Sequence, residues 1–283
     1  MILKEFGYTP LDIKFNEATH TYRLDGIPMI GTTTVIGTKH KDWESAWKLK
    51  EMEKFLKGNW ECFKHYSQSE RDAIIADAKK AWSVKSDKAL DSGKIGHALI
   101  EESIITGKRN LGLNYSCGSE QTNYEVRNIY NNWLLWEAQH PNIEYLATEM
   151  VMGSKKLWVA GTLDVLFRED GVLNLVDWKS SKRFSEDICL QSASYKYMLI
   201  EGGVKEEIIR RAVRLDKGVD DNGNPVKDYE PHYESKNDIV IPTDYNLDID
   251  AFIHLRYANK WMKYIEKDFK KPSAGGRFKE LMF

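Results

Sequence analysis

The sequence predicts an α/β fold, a central mixed β-sheet flanked by helices, with a helical insertion near the N-terminus. Three observations predict it. Residues 159–167 and 172–179 are apolar and rich in β-branched side chains, and Asp170-Gly171 between them is the dipeptide of a two-residue hairpin loop. Helical periodicity precedes this hairpin and resumes after it. Apolar residues make up 42% of the 283, enough to bury a core. The chain reads as a single domain over 1–283, in four stretches: a hairpin region at 1–36, a helical insertion at 40–92, a core at 93–201, and strands with a long helix at 202–283.

Taken in order, residues 21–24 and 27–30 flank Asp25-Gly26, a second hairpin signal, and Thr32–Thr34 can cap or lead into the next segment. This hairpin fits both a covered sheet edge and a nucleic-acid contact. In the insertion, Trp43, Trp47, Leu49, Met52, Phe55 and Leu56 recur at helical spacing among Lys39, Lys41, Lys48, Lys50, Lys54 and Lys57. Such a pattern fits one wall of a strand channel, or an ordinary amphipathic helix with a solvated face. Residues 69–82 predict a second helix with Ser69 as its N-cap. Residues 93–105 predict another, placing His97 and Glu101 on one face, while Gly93 and Gly96 imply close approach to a neighbouring backbone. A core helix comes next at 120–139, stopped by Pro141, then a strand at 143–152 turning at 153–156. With that turn Glu149 shares the face of Asp164, offset along the strand.

Beyond the hairpin, residues 185–200 form a helix with Gln191 and Tyr195 on one face. Residues 207–215 read as a strand, with 229–235 and 238–241 as its partners. Asp220–Pro225 is a turn-rich loop without the ligand spacing of a calcium loop. Residues 248–269 form a long amphipathic helix on Phe252, Leu255, Tyr257, Trp261 and Ile265. The basic, glycine-bearing tail at 267–283 reads as mobile, with DNA contact as the alternative.

Composition narrows the functional classes. Lys and Arg number 41 against 43 Asp and Glu, so nucleic-acid contact would need a local basic patch. No apolar run is long enough to cross a membrane and no signal peptide is evident, so a cytoplasmic protein is expected. The three cysteines, Cys62, Cys117 and Cys189, are far apart and are expected to be reduced thiols; they are too few for an iron–sulfur cluster. No phosphate-binding loop of the nucleoside-triphosphatase kind appears, so no nucleotide cofactor is expected.

The hairpin loop also sets a register. Pairing Glu169 with Val172 brings Asp164 opposite Asp177, with β-carbons about 4.5–5.5 Å apart on one face. Like charges so placed repel unless a cation lies between them. Lys179, two residues beyond Asp177, projects from the same face. Paired carboxylates with an adjacent lysine make a cage for a hard divalent cation.

The ordered set of His97 within GKIGHALIEE, Gly161-x-x-Asp164, Asp177-x-Lys179 and Gln191-x-x-x-Tyr195 resembles the PD-(D/E)XK nuclease superfamily in its RecB-type exonuclease branch. The likeness covers roughly 93–195, and His20-x-Tyr22 with Thr32-Thr33-Thr34 resembles the start of phage-encoded members without an iron–sulfur cluster. The resemblance implies a restriction-endonuclease-like core and one or two Mg²⁺ or Mn²⁺ ions. It implies His97, Asp164, Asp177 and the Trp178 carbonyl as ligands, with Lys179 steering the attacking water. Glu101 would be an auxiliary carboxylate and Glu149 a support. Gln191, Tyr195, Ser180 and Lys182 would contact DNA or position the site.

The implied reaction is hydrolysis of phosphodiester bonds in DNA from a free strand end, in recombination, repair or processing of phage or mobile-element DNA inside a bacterial cytoplasm. Structure-selective endonuclease action, a nuclease subunit working with a strand-annealing or single-strand-binding protein, and a non-enzymatic DNA-binding relative are the alternatives.

Overall fold

The computed structural model describes residues 7–39, 42–63 and 65–270. Lys41 and the tail from 271 onward lie outside the described residues, as does the side chain of Trp43.

The centre of the molecule is a mixed sheet organised around one long strand. β4 (Ile143–Ser154) lies antiparallel to β5 (Val159–Glu169) along its whole length. The other edge of β5 is shared by two partners. β6 (Val172–Lys179) takes the far end, antiparallel, with Glu169 opposite Val172 as the Asp-Gly loop requires. β3 (Ile27–Gly31) takes the near end, parallel, through Ile30↔Val159 and Gly31↔Ala160. The β5 edge between Ala160 and Val165 has neither partner in its ladder. That gap positions the site.

β3 continues outward to β2 (Thr21–Leu24) and β1 (Ile13–Asn16) through the expected Asp25-Gly26 turn, with Asp25 at φ 50° and Gly26 at φ 76°. On the opposite side β6 pairs in parallel with β7 (Ile208–Arg214), and β7 with the short β8 (Asp238–Val240). The expected strand at 229–235 is absent. Pro231 has no N–H to give a ladder, and the Tyr229 hydroxyl instead accepts from Asn132 Nδ2 at 3.1 Å.

Helices cover both faces. α1 (Thr32–Ile36), α6 (Asp187–Glu201) and α7 (Tyr245–Lys270) bury Val35, Met198, Leu199 and Phe252 against Leu163, Leu166 and Leu175. On the other face α4 (Gln68–Thr106) and α5 (Glu120–Ala138) bury Ile100, Ile129, Trp133 and Trp136 against Val165, Phe167 and Val176. Full burial of side chains this size stabilises by about 1.5–3 kcal/mol each before entropy is subtracted. α7 departs from expectation: Phe252 is fully buried, but Tyr257 and Trp261 are 61% and 63% exposed.

The insertion consists of α2 (Asp42–Gly58), α3 (Trp60–Phe63) and the first half of α4. The two helices expected at 69–82 and 93–105 are one continuous helix of 39 residues. The intervening SVKSDKALDS holds neither glycine nor proline, so nothing breaks it. Its N-cap is Ser67 rather than Ser69: Glu70 reaches back to accept from the Ser67 N–H at 2.7 Å, a capping box. Gly107 ends it in the left-handed conformation, φ 73°. α2 lies along α4, where Trp47 meets Trp82 edge-on at 6.3 Å.

Several of the insertion's lysines are engaged within the chain. Lys39 pairs with Glu186 and Asp187, Lys48 with Glu44 and the Trp82 ring, Lys54 with Glu51, and Lys57 with Glu53. Among the described residues, no helix is long and apolar enough to cross a membrane.

Candidate metal centre

The site forms where β5 and β6 part. Their ladder runs as far as Val165↔Val176 and stops one pair short of Asp164 and Asp177. The Asp164 side chain takes over the role of the backbone there: its Oδ2 accepts the Trp178 N–H at 2.6 Å. The strand is also turned at this point. Leu163 belongs to the core under α6 and α7, whereas Val165 belongs to the core under α4 and α5, although residues two apart on a regular strand share a face.

Glu149, across from Asp164 on β4, sits at φ 43°, a conformation non-glycine residues rarely adopt. The expected offset between Glu149 and Asp164 is therefore corrected. The connecting turn is 155–158 rather than 153–156, and the flanking pairs Thr148↔Val165 and Met150↔Leu163 put the two residues level.

His97 arrives from α4. Gly93 and Gly96 let that helix come close: a Cβ at Gly93 would lie 2.7 Å from Ser180 Oγ, and one at Gly96 2.6 Å from Ile129 Cγ2. The close approach is thus to side chains, not to the backbone that the sequence suggested. Gly161 serves the same purpose on β5, where a Cβ would stand 2.7 Å from the Tyr195 ring and 3.0 Å from Thr32 Oγ1.

Among the described residues, His97, Glu149 and Asp164 form a group whose ligand atoms all lie within 4.8 Å of one another. His97 Nδ1 is 3.8 Å from Asp164 Oδ2, and His97 Nε2 is buried with no hydrogen-bond partner. Glu149, expected as a support, stands inside this group. Asp177, expected within it, lies beside it and ion-pairs with Lys179 at 2.5 Å. Lys179 also donates to Gln191 Oε1 at 3.0 Å, and Gln191 Nε2 to the Tyr195 hydroxyl at 3.3 Å. Gln191 and Tyr195 therefore hold the lysine. Trp178 offers its amide to Asp164 and buries its indole under α5.

The charges are out of balance. Burial, then Asp177 and Glu149, push the Asp164 carboxyl well above the usual carboxylate range. Burial, then Glu101 and Asp177, push Glu149 up to about 7. Burial drives His97 down to about 4, which leaves a neutral imidazole able to act as a ligand. For Lys179, burial works against the charge, but Asp177 and Asp164 outweigh it and raise the ammonium. Buried carboxylates that one lysine does not neutralise, and an orphaned imidazole nitrogen among them, suit a divalent cation with mixed oxygen and nitrogen ligands.

Two cavities meet at this site. One, of about 620 Å³, lies before His97, Glu149 and Asp164 and includes Glu101. The other, of about 610 Å³, is lined by Lys179, Ser180 and Lys182. Lys182 there ion-pairs with Asp221 at 2.9 Å. Both share Lys94 and His97. Lys94 went unnoticed in the sequence, although its place three residues before His97 on the same helix could have flagged it. Lys217, buried and 3.6 Å from Glu125, gave no such signal. Neither did Glu17, whose position over the first cavity depends on hairpin packing.

A scan of the chain against protein-family models finds no match, and a search of curated proteins finds none.

Proposed function

We propose that this chain is a metal-dependent deoxyribonuclease with a restriction-endonuclease-like core, of the PD-(D/E)XK superfamily and its RecB-type branch, which hydrolyses phosphodiester bonds from a free DNA strand end. The observation that carries the reading is the meeting of His97, Glu149 and Asp164 beside the Asp177–Lys179 ion pair, at the parting of two strands. The order of these residues along the chain adds the resemblance to that branch.

His97, Glu149 and Asp164 would hold Mg²⁺ or Mn²⁺, with Asp177 adjoining. The bound cation would supply Lewis acidity at the phosphate and lower the pKa of a water. The chain's own residues do the rest. Lys179, fixed by Gln191 and Asp177, offers an ammonium to charge that builds on the phosphate oxygens. Trp178, through its amide, keeps the Asp164 carboxylate turned toward the gap. Lys182 and Ser180 line the neighbouring cavity, where a phosphodiester backbone would lie.

End-labelled linear DNA incubated with Mg²⁺, Mn²⁺ or chelator tests this. Release of mononucleotides or short oligonucleotides, lost with chelator and in Asp177→Ala, is expected. Cleavage that survives chelator would refute the metal mechanism. Cutting of a circular single strand would point to an endonuclease on the same site.

A further inference from the structure

The outer wall of the cavity before His97 is the β1–β2 hairpin, which contributes Phe15, His20 and Tyr22. Phe15 and Tyr22 are cross-strand partners, and their rings stack at 4.7 Å and 23°. The His20 ring meets both edge-on, at 5.2 and 5.8 Å. Tyr22 is buried, and its hydroxyl shares a hydrogen bond of 3.1 Å with Thr162 Oγ1, two residues before Asp164 on β5. The aromatic group is thereby fixed to the strand that carries the candidate metal ligand. His20 is exposed and takes φ 48°, in a turn where Asn16 Oδ1 accepts the Thr19 N–H at 3.0 Å.

The two cavities differ in charge. Glu17, Glu101, Glu149 and Asp164 line the aromatic one against the single cation Lys94, a negative balance that would repel phosphates. Lys94, Lys179, Lys182 and Lys217 line the other against Asp220 and Asp221, a positive balance that would attract them. A nucleotide has both an anionic and an apolar, hydrogen-bonding part. Its base can stack on aromatic rings whatever the sequence, and carboxylates accept from exocyclic amino groups.

We propose that Phe15 and His20, backed by the buried Tyr22, form a nucleobase-stacking subsite, so that a strand crosses His97 with its phosphodiester chain on the lysine side and an unpaired terminal base against the hairpin. This rests on the nuclease reading and names its substrate: a single-stranded end. A base inside a duplex would first have to be unpaired and flipped to use this wall.

The test is fluorescence anisotropy of a short labelled single-stranded DNA with Ca²⁺ present, set against the same strand carrying an abasic residue at the 5′ or the 3′ end. Wild type is expected to prefer the intact end by about tenfold, the lower range for one stacked base. His20→Ala and Phe15→Leu are expected to bind intact and abasic strands alike. His20 is exposed, so its variant keeps the test valid if Phe15→Leu fails to fold. Equal binding of both strands by wild type, or a preference kept in His20→Ala, overturns the subsite. Cleavage measured in parallel with Mg²⁺ separates the two ideas. Cleavage without end preference sinks the subsite alone; end preference without cleavage sinks the nuclease reading alone. No binding of either strand sinks both.

Discussion

Two buried charge clusters flank α5 and the sheet, and they are built on opposite principles. At the outer edge, Asp238 accepts from Arg211 Nη2 at 2.6 Å and from Trp136 Nε1 at 2.7 Å. Arg211 also donates to Glu169 at 2.8 Å, and His140 Nε2 lies 3.3 Å from Asp238. Burial alone would raise the Asp238 carboxyl, but His140, Arg211 and Trp136 together hold it below its usual range. In the gap between β5 and β6 the carboxylates outnumber their cation, and Asp164 and Glu149 are raised. The first cluster is complete within the chain. The second is not balanced by the cations of the chain. Burial is common to both; the difference is whether a guanidinium was supplied.

The largest effect that would sharpen this contrast is on cleavage. Lys179→Ala should lower the rate by about 10²–10³-fold, the usual cost of removing one charge-stabilising donor, and should also lower the Tm, because buried Asp177 loses its ion-pair partner. An end-labelled assay beside a thermal melt checks both halves. Asp238→Ala should leave cleavage intact and cost stability alone. Removing one partner from a buried ion pair costs about 3–5 kcal/mol, seen as a lower denaturation midpoint.

Asp164→Asn offers a sharper comparison. It should abolish cleavage, yet melt no lower than wild type in chelator, because it replaces a buried carboxyl whose charged form its surroundings disfavour. Added Mn²⁺ should raise the Tm of wild type and not of this variant. If Asp164→Asn destabilises as Asp238→Ala does, the two clusters are alike and the contrast fails.

Gly161→Ala should cost about 1–3 kcal/mol by overpacking against Tyr195 and Thr32. It should also slow cleavage, since Tyr195 supports Gln191 and through it Lys179.

The smallest expected effect is a pH dependence in the balanced cluster. Burial would lower His140, but its hydrogen bonds to Asp238 and the Trp136 carbonyl win and raise it. A raised histidine contributes fully below its unfolded pKa, about 6.5, and less as pH rises through the folded value. Stability of wild type should therefore decline slightly above neutrality, and His140→Gln should flatten that slope in denaturant titrations at pH 6 and 8.

Local chemistry was legible wherever neighbours in sequence decide it. Asp170-Gly171 and Asp25-Gly26 specify their turns, and the first of these set the register that brought Asp164 toward Asp177. Helix α5 ended where Pro141 said it must. The long α4 was not legible, because the residues between its halves neither favour nor forbid a helix. Tyr257 and Trp261 were misplaced for a related reason: periodicity names a face but does not say whether anything covers it.

The sequence by itself determined the class of fold, the hairpin and the identity of the residues that could carry chemistry, since propensity, alternation and turn type act over a few residues. Only the tertiary structure decided which of them meet. β3 and β6 share one edge of β5 and leave a gap between them at Asp164; Glu149 stands level with it on β4, and α4 brings His97. Asp177 pairs with Lys179 beside them. These choices depend on distances between segments far apart in the chain, and on the cost of burying charge, which no local pattern contains.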